Sequence, residues 1–126
     1  MILPACIDHV VFRVEALDRT ERFYTALLGE PERAEQTLIY TVGETLLFFT
    51  TAMDQAQPHN KENVGFNHIA FGIRSLAELQ VIEAQLNSAG IAHSGIGIDK
   101  YGKKEYVWLD DPDGMRIEFY LRARDR

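Results

Sequence analysis

Two histidines, His9 and His68, and one glutamate, Glu118, carry the chemistry most readable in this chain, because two imidazoles and a carboxylate form a donor set for a divalent metal ion. Singly, each has a plain alternative: a strand histidine is more often a hydrogen-bonded structural residue, and a glutamate a surface charge. Their joint placement argues for ligation.

That placement rests on an internal repeat. His9-Val-Val-Phe12-Arg-Val-Glu-Ala-Leu17 and His68-Ile-Ala-Phe71-Gly-Ile-Arg-Ser-Leu76 share His, Phe and Leu at identical offsets, about half the chain apart, so two modules are expected rather than a solenoid. Asp18-Arg-Thr-Glu21 and Ser75-Leu-Ala-Glu78 each read as a capping box opening a helix. The first helix carries Phe23, Tyr24, Leu27 and Leu28 and stops at Gly29; the second carries Leu79, Ile82 and Leu86 and stops at Gly90. Alternating β-rich stretches follow over 37–42 and 45–51, then over 104–110 and 115–122, joined by turns at 42–44 and 111–114. Less regular strands near 32–36 and 91–98 complete βαβββ twice, with the polar stretch 52–63 as linker.

Side chains alternate across a strand. Val10, Phe12 and Val14 share one face of the first strand and His9, Val11 and Arg13 the other. Ile69, Phe71 and Ile73 oppose His68, Ala70 and Gly72 in the same way. In the last strand Met115, Ile117, Phe119 and Leu121 face away from Arg116, Glu118, Tyr120 and Arg122. The apolar faces suit the helices, and His9, His68 and Glu118 look to the other side.

Length and composition set the frame. The chain has 126 residues and 46% hydrophobic content, enough for one domain with its own core. Its net charge of -6 argues against nucleic acid or an anionic membrane as partner, and the basic tail Arg122, Arg124, Arg126 reads as a solvated chain end. No apolar run nears the roughly 20 residues that span a bilayer, and no secretory leader is evident. The single cysteine, Cys6, reads as a buried inert thiol, and the expected location is the cytoplasm.

The motifs Asp8-His9-Val, Asn67-His68-Ile-Ala-Phe and Asp111-Pro-Asp-Gly-Met-Arg-Ile-Glu118 resemble the vicinal oxygen chelate superfamily, the glyoxalase, bleomycin-resistance and extradiol dioxygenase fold, over residues 5 to 122. The resemblance implies an α+β fold in which two βαβββ modules form a curved, barrel-like mixed sheet with helices outside. One glyoxalase-like domain would span 1–126, with module 1 at about 5–51 and module 2 at about 64–122. It implies a metal held by His9, His68 and Glu118, with the place matching Glu118 in the first module taken by Leu47, so that three protein ligands leave open positions. Fe, Mn, Zn and Ni all suit such a set. A homodimer is implied too, with sites formed between modules of the two chains and a small molecule as substrate.

Two functions follow from the resemblance. The first is a metal-dependent lyase, isomerase or oxygenase whose ion acts as a Lewis acid on a small oxygen-bearing substrate. The second is a non-catalytic protein that sequesters a small molecule, as bleomycin-resistance proteins do. Trp108 stands where extradiol dioxygenases carry a tyrosine and 99–104 lacks a histidine, which weakens ring cleavage; Val11 weakens the fosfomycin-transferase reading. Arg13, Tyr106, Trp108, Tyr120 and Arg122 are expected to line the substrate pocket, with Arg13, Tyr106 and Trp108 as candidates for a catalytic group; a core position for Trp108 is an equal alternative. The glycine- and lysine-rich segment 95–106 is either a substrate-holding loop or an ordinary connection. His59 and His93 read as exposed loop histidines.

Overall fold

A computed structural model describes residues 1–122; Arg124 and Arg126 lie outside the described residues. The chain forms two compact units, Met1–Gln57 and Pro58–Arg126. The first contains β1 (His9–Val14), α1 (Leu17–Leu28), β2 (Glu32–Ala34), β3 (Thr37–Val42) and β4 (Thr45–Thr51). The second contains β5 (His68–Ile73), α2 (Leu76–Ser88), β6 (Gly97–Ile98), β7 (Glu105–Asp110) and β8 (Arg116–Leu121). Each unit is the expected βαβββ module of an α+β fold. The sheets are four-stranded and mixed, in the order β1-β4-β3-β2 and β5-β8-β7-β6, and among the described residues neither closes on itself. The first strand of each unit runs parallel to its last, and the other pairs are antiparallel.

The alternation read from the sequence sorts the cores. In the first unit Val14, Leu38, Tyr40, Leu47 and Phe49 are buried with Tyr24 of α1; the Tyr24 ring centroid lies 4.4 Å from that of Phe49. In the second, Phe71, Val107, Leu109, Ile117 and Phe119 are buried with Leu79 and Leu86 of α2. Each of these large side chains contributes about 1.5–3 kcal/mol by leaving water, so one face of each sheet is committed to its helix and the other is left for the site.

The helix starts differ. Ser75 caps α2, its Oγ accepting from the Glu78 backbone N–H at 3.1 Å, while Glu78 reaches back to the N–H of Arg74. Asp18 does not cap α1: the N-cap is Ala16, and Asp18 lies inside the first turn. Its partner in the expected box, Glu21, is drawn instead into a salt bridge with Arg33 of β2. The less regular strands are shorter than expected, covering 32–34 and 97–98.

Three other expectations are corrected. Cys6 is exposed, because β1 begins only at His9 and the segment before it carries no strand pairing. His59 is half-buried: its N–H donates to the Asp113 carbonyl at 2.9 Å, so the second half of the linker is stitched to the 111–114 turn. His93 is also half-buried, with Nε2 against Asn87 and Nδ1 accepting from the Gly95 N–H. Among the described residues, no helix is long and apolar enough to cross a membrane.

Candidate metal and substrate site

The helix-free face of the second sheet gathers most of the expected residues. Along β5 it presents His68, Ala70 and Gly72; along β8, Arg116, Glu118 and Tyr120; along β7, Tyr106, Trp108 and Asp110. Strand register fixes the neighbours: His68 opposite Arg116, Ala70 opposite Glu118, Trp108 opposite Glu118, and Tyr106 opposite Tyr120. The 111–114 turn aims β8 back along this face. Asp111 Oδ1 accepts from the N–H groups of Asp113 and Met115, and Gly114 sits at φ 88° with no room for a side chain against the His59 carbonyl.

At one end His68 Nε2 lies 3.6 Å from Glu118 Oε1. Which His68 nitrogen carries the proton follows from its partners. Asn67 donates its amide N–H to the Lys61 carbonyl at 2.9 Å, which turns Asn67 Oδ1 toward His68; Nδ1 of His68 therefore donates to that oxygen at 2.8 Å. The lone pair is then on Nε2, facing Glu118. His9 repeats the arrangement in the first unit, its Nδ1 donating to the Asp8 carboxylate at 2.8 Å. An acceptor behind each imidazole is what orients a metal-ligating histidine.

The donors fit an ion. Two ligands each about 2.1 Å from a tetrahedral ion stand about 3.4 Å apart; the observed 3.6 Å is close to that and too long for a direct hydrogen bond. Burial raises the proton affinity of Glu118 above the usual glutamate range, with Asp99 adding to the effect and His68 and Arg116 opposing it. A half-buried carboxylate in that state gains from a nearby cation. Among the described residues no group of three or more His, Cys, Asp or Glu converges, so the second unit supplies a pair and His9 belongs to the first unit.

The remaining expected residues occupy distinct settings. Tyr106 and Tyr120 meet with ring centroids 6.0 Å apart. Trp108 is half-exposed on the site face, which decides against the core position, and carries the Arg116 guanidinium 4.0 Å above its ring. Arg13 is exposed and donates to the Thr51 carbonyl at 3.1 Å. Arg122 is exposed, its aliphatic stem lying over Gly72. The expected twin of Glu118 shifts by one residue: Phe48, not Leu47, stands there. His9 pairs with Leu46 as His68 pairs with Arg116, so two residues on, Phe48 matches Glu118. Leu47 is in the core, equivalent to Ile117.

Four neighbours of the candidate residues escape the sequence reading. Arg116 lies on the face expected for it, and only its contacts with Asp110 and Trp108 bring it into the site. Asp8 and Asn67 carried a signal in plain view, a side-chain oxygen just before each repeated histidine. Asp99 had none, since its role depends on a fold-back: Oδ2 accepts from the Gly102 N–H at 2.7 Å and from the Tyr120 hydroxyl at 2.9 Å. These bonds, the Gly102 one foremost, hold Asp99 below the usual aspartate range. They also pin the 99–104 turn onto Tyr120, so a Cβ added at Gly102 would have to displace the Tyr120 hydroxyl.

A model of the glyoxalase/bleomycin resistance protein/dioxygenase superfamily matches residues 6–119. The chain is 28% identical over 123 residues to a lactoylglutathione lyase of Haemophilus influenzae, covering 90% of each. It is also 28% identical over 123 residues to a probable chloroplastic lactoylglutathione lyase of Arabidopsis thaliana, but there it covers 91% of this chain and spans only 35% of the longer relative. A glyoxalase family protein from Enterococcus faecalis superposes with a TM-score of 0.74 at 26% identity, over 92% of this chain and 97% of that one.

Proposed function

The chain belongs to the glyoxalase/bleomycin resistance protein/dioxygenase superfamily, and from that premise we propose that it is a metal-dependent enzyme in which His9, His68 and Glu118 hold one divalent ion, Fe, Mn, Zn or Ni. The observation that carries this reading is the His68–Glu118 pair, with the lone pair of His68 turned toward the carboxylate by the Asn67 contact. When bound, such an ion supplies Lewis-acid stabilisation of negative charge on a substrate oxygen, the chemistry of a lyase, isomerase or oxygenase.

The chain's own residues prepare the place. Asp8 and Asn67 hold the two imidazoles in the ligating tautomer. Trp108 stands opposite Glu118 and Tyr106 opposite Tyr120 on the same face, so the three aromatic residues are suited to line a substrate pocket beside the carboxylate. Tyr120, donating its proton to Asp99, keeps lone pairs on its oxygen to accept from a substrate hydroxyl. Arg13 and Arg122 are the outlying cations of this reading, suited to an anionic part of a small substrate. With three protein donors, two or more positions stay open for substrate oxygens.

In this reading the protein acts as a cytoplasmic homodimer, His9 of one copy completing the pair of the other; a monomer by sedimentation would contradict that part. The central test is the metal content of protein purified without chelators. Wild type is expected to hold close to one ion per chain and a His68→Ala variant far less; equal contents would overturn the reading. Metal retained with no turnover of diol, ketoacid or hemithioacetal substrates would point to ligand sequestration instead of catalysis.

A further inference from the structure

One charged group on the site face has no part in the scheme above. Arg116 is the cross-strand neighbour of His68 and lies two residues before Glu118 on the same face of β8. Its side chain is only 19% exposed, unusual for arginine, and it is held on two sides. Nε donates to Asp110 Oδ1 at 2.6 Å, and the guanidinium carbon stacks 4.0 Å over the Trp108 ring. Nη2 makes only a long contact, 3.4 Å, to the other Asp110 oxygen, and Nη1 has no acceptor among the described residues. A guanidinium fixed along one edge and on one face, with its other edge unused, is prepared for a planar, two-oxygen anion.

The shape of the group favours the same ligand. Asp110 takes one edge of the guanidinium and Glu62 lies only within its electrostatic reach, so the open edge offers N–H donors to a carboxylate beside the His68–Glu118 pair. We propose that Arg116 determines specificity by binding the carboxylate of a substrate whose neighbouring oxygen is directed to the metal, so that the substrate class is a 2-hydroxy or 2-oxo acid and not a neutral carbonyl compound. This rests on the metal reading but is separable from it by experiment. A merely structural Arg116, present to balance Asp110, predicts no discrimination between an acid and its amide.

The protein carries its own reporter, since Trp108 is the only tryptophan and touches Arg116. Full-length protein, metal-free and loaded with zinc, is titrated with glycolate and with glycolamide while Trp108 emission is followed and zinc content is measured separately. Wild type is expected to respond to glycolate at a concentration at least tenfold lower than to glycolamide when zinc is bound, with the same order of preference in the metal-free protein. Arg116→Gln is expected to lose the preference, and Arg116→Lys, which keeps the charge but not the fork, to retain part of it. The proposal is overturned by equal response to acid and amide, by no response to either, or by a preference that survives Arg116→Gln. Protein that binds no zinc yet prefers glycolate would sink the metal reading and leave Arg116 standing; protein that binds zinc without the preference would do the reverse.

Discussion

Phe48 stands against His9 where Glu118 stands against His68. The Phe48 ring meets the His9 ring edge-on, centroids 5.5 Å apart at 75°, and the two modules thus offer the same histidine to different companions, one aromatic and one carboxylate. The repeat has kept the imidazole and its preceding acceptor on both sides and kept the acid on one.

Replacing the aromatic companion therefore tests the symmetry directly. Phe48→Glu is expected to add a carboxylate donor beside His9 and tighten metal binding, by about tenfold, equivalent to 1.4 kcal/mol. Calorimetric titration with zinc checks this, and unchanged affinity would show that Phe48 does not look toward the ion.

The acceptors behind the histidines should matter almost as much as the ligands. Asp8→Ala and Asn67→Ala each free an imidazole to rotate and to adopt the wrong tautomer, and each is expected to weaken metal affinity by about 10- to 100-fold without unfolding the chain. Affinity within twofold of wild type in both variants would remove the orienting role.

Much of this arrangement is legible in the amino-acid sequence. The alternation along His9–Val14, His68–Ile73 and Arg116–Leu121 assigned each side chain to its face because one face must be buried, and a period of two leaves no freedom once that is true. What failed were relations set by turns and by distant contacts. Leu47 and Glu118 each lie four residues past a turn glycine, Gly43 and Gly114, yet the residue at the register of Glu118 is Phe48, five past its glycine, and a shift of one reverses the face. Asp18 had the right spacing for a cap, yet the helix began one residue before it. His59 looked like linker because nothing local reveals that Asp113, more than fifty residues on, accepts its N–H.

That stitch gives a stability prediction. At Gly114 the backbone has φ 88°, and an added Cβ would stand 2.7 Å from the His59 carbonyl oxygen, a backbone atom that cannot rotate away. Gly114→Ala is expected to cost at least about 2 kcal/mol. Denaturant unfolding measures it, and a loss below about 0.5 kcal/mol, the scatter of surface substitutions, would mean the turn shifts freely.

Acid should loosen the 99–104 turn. Asp99 is held below its usual range in the fold, so its contribution is present above that range and is lost as pH falls through the depressed value. Asp99→Asn, which accepts the Gly102 and Tyr120 hydrogen bonds less well, is expected to melt below wild type at neutral pH, with the gap closing in strong acid. A gap that stays constant from neutral to strongly acidic pH would argue that the carboxylate charge is immaterial there.

The exposed Cys6 has a practical consequence. It is the only sulfhydryl in the chain and lies three residues before His9, on a segment without strand pairing. A nitroxide attached there puts a single unpaired electron on each molecule, so any dipolar coupling seen in solution must arise between copies. The spin-to-spin distance would then measure how far apart two first-module histidines are carried when the molecules associate.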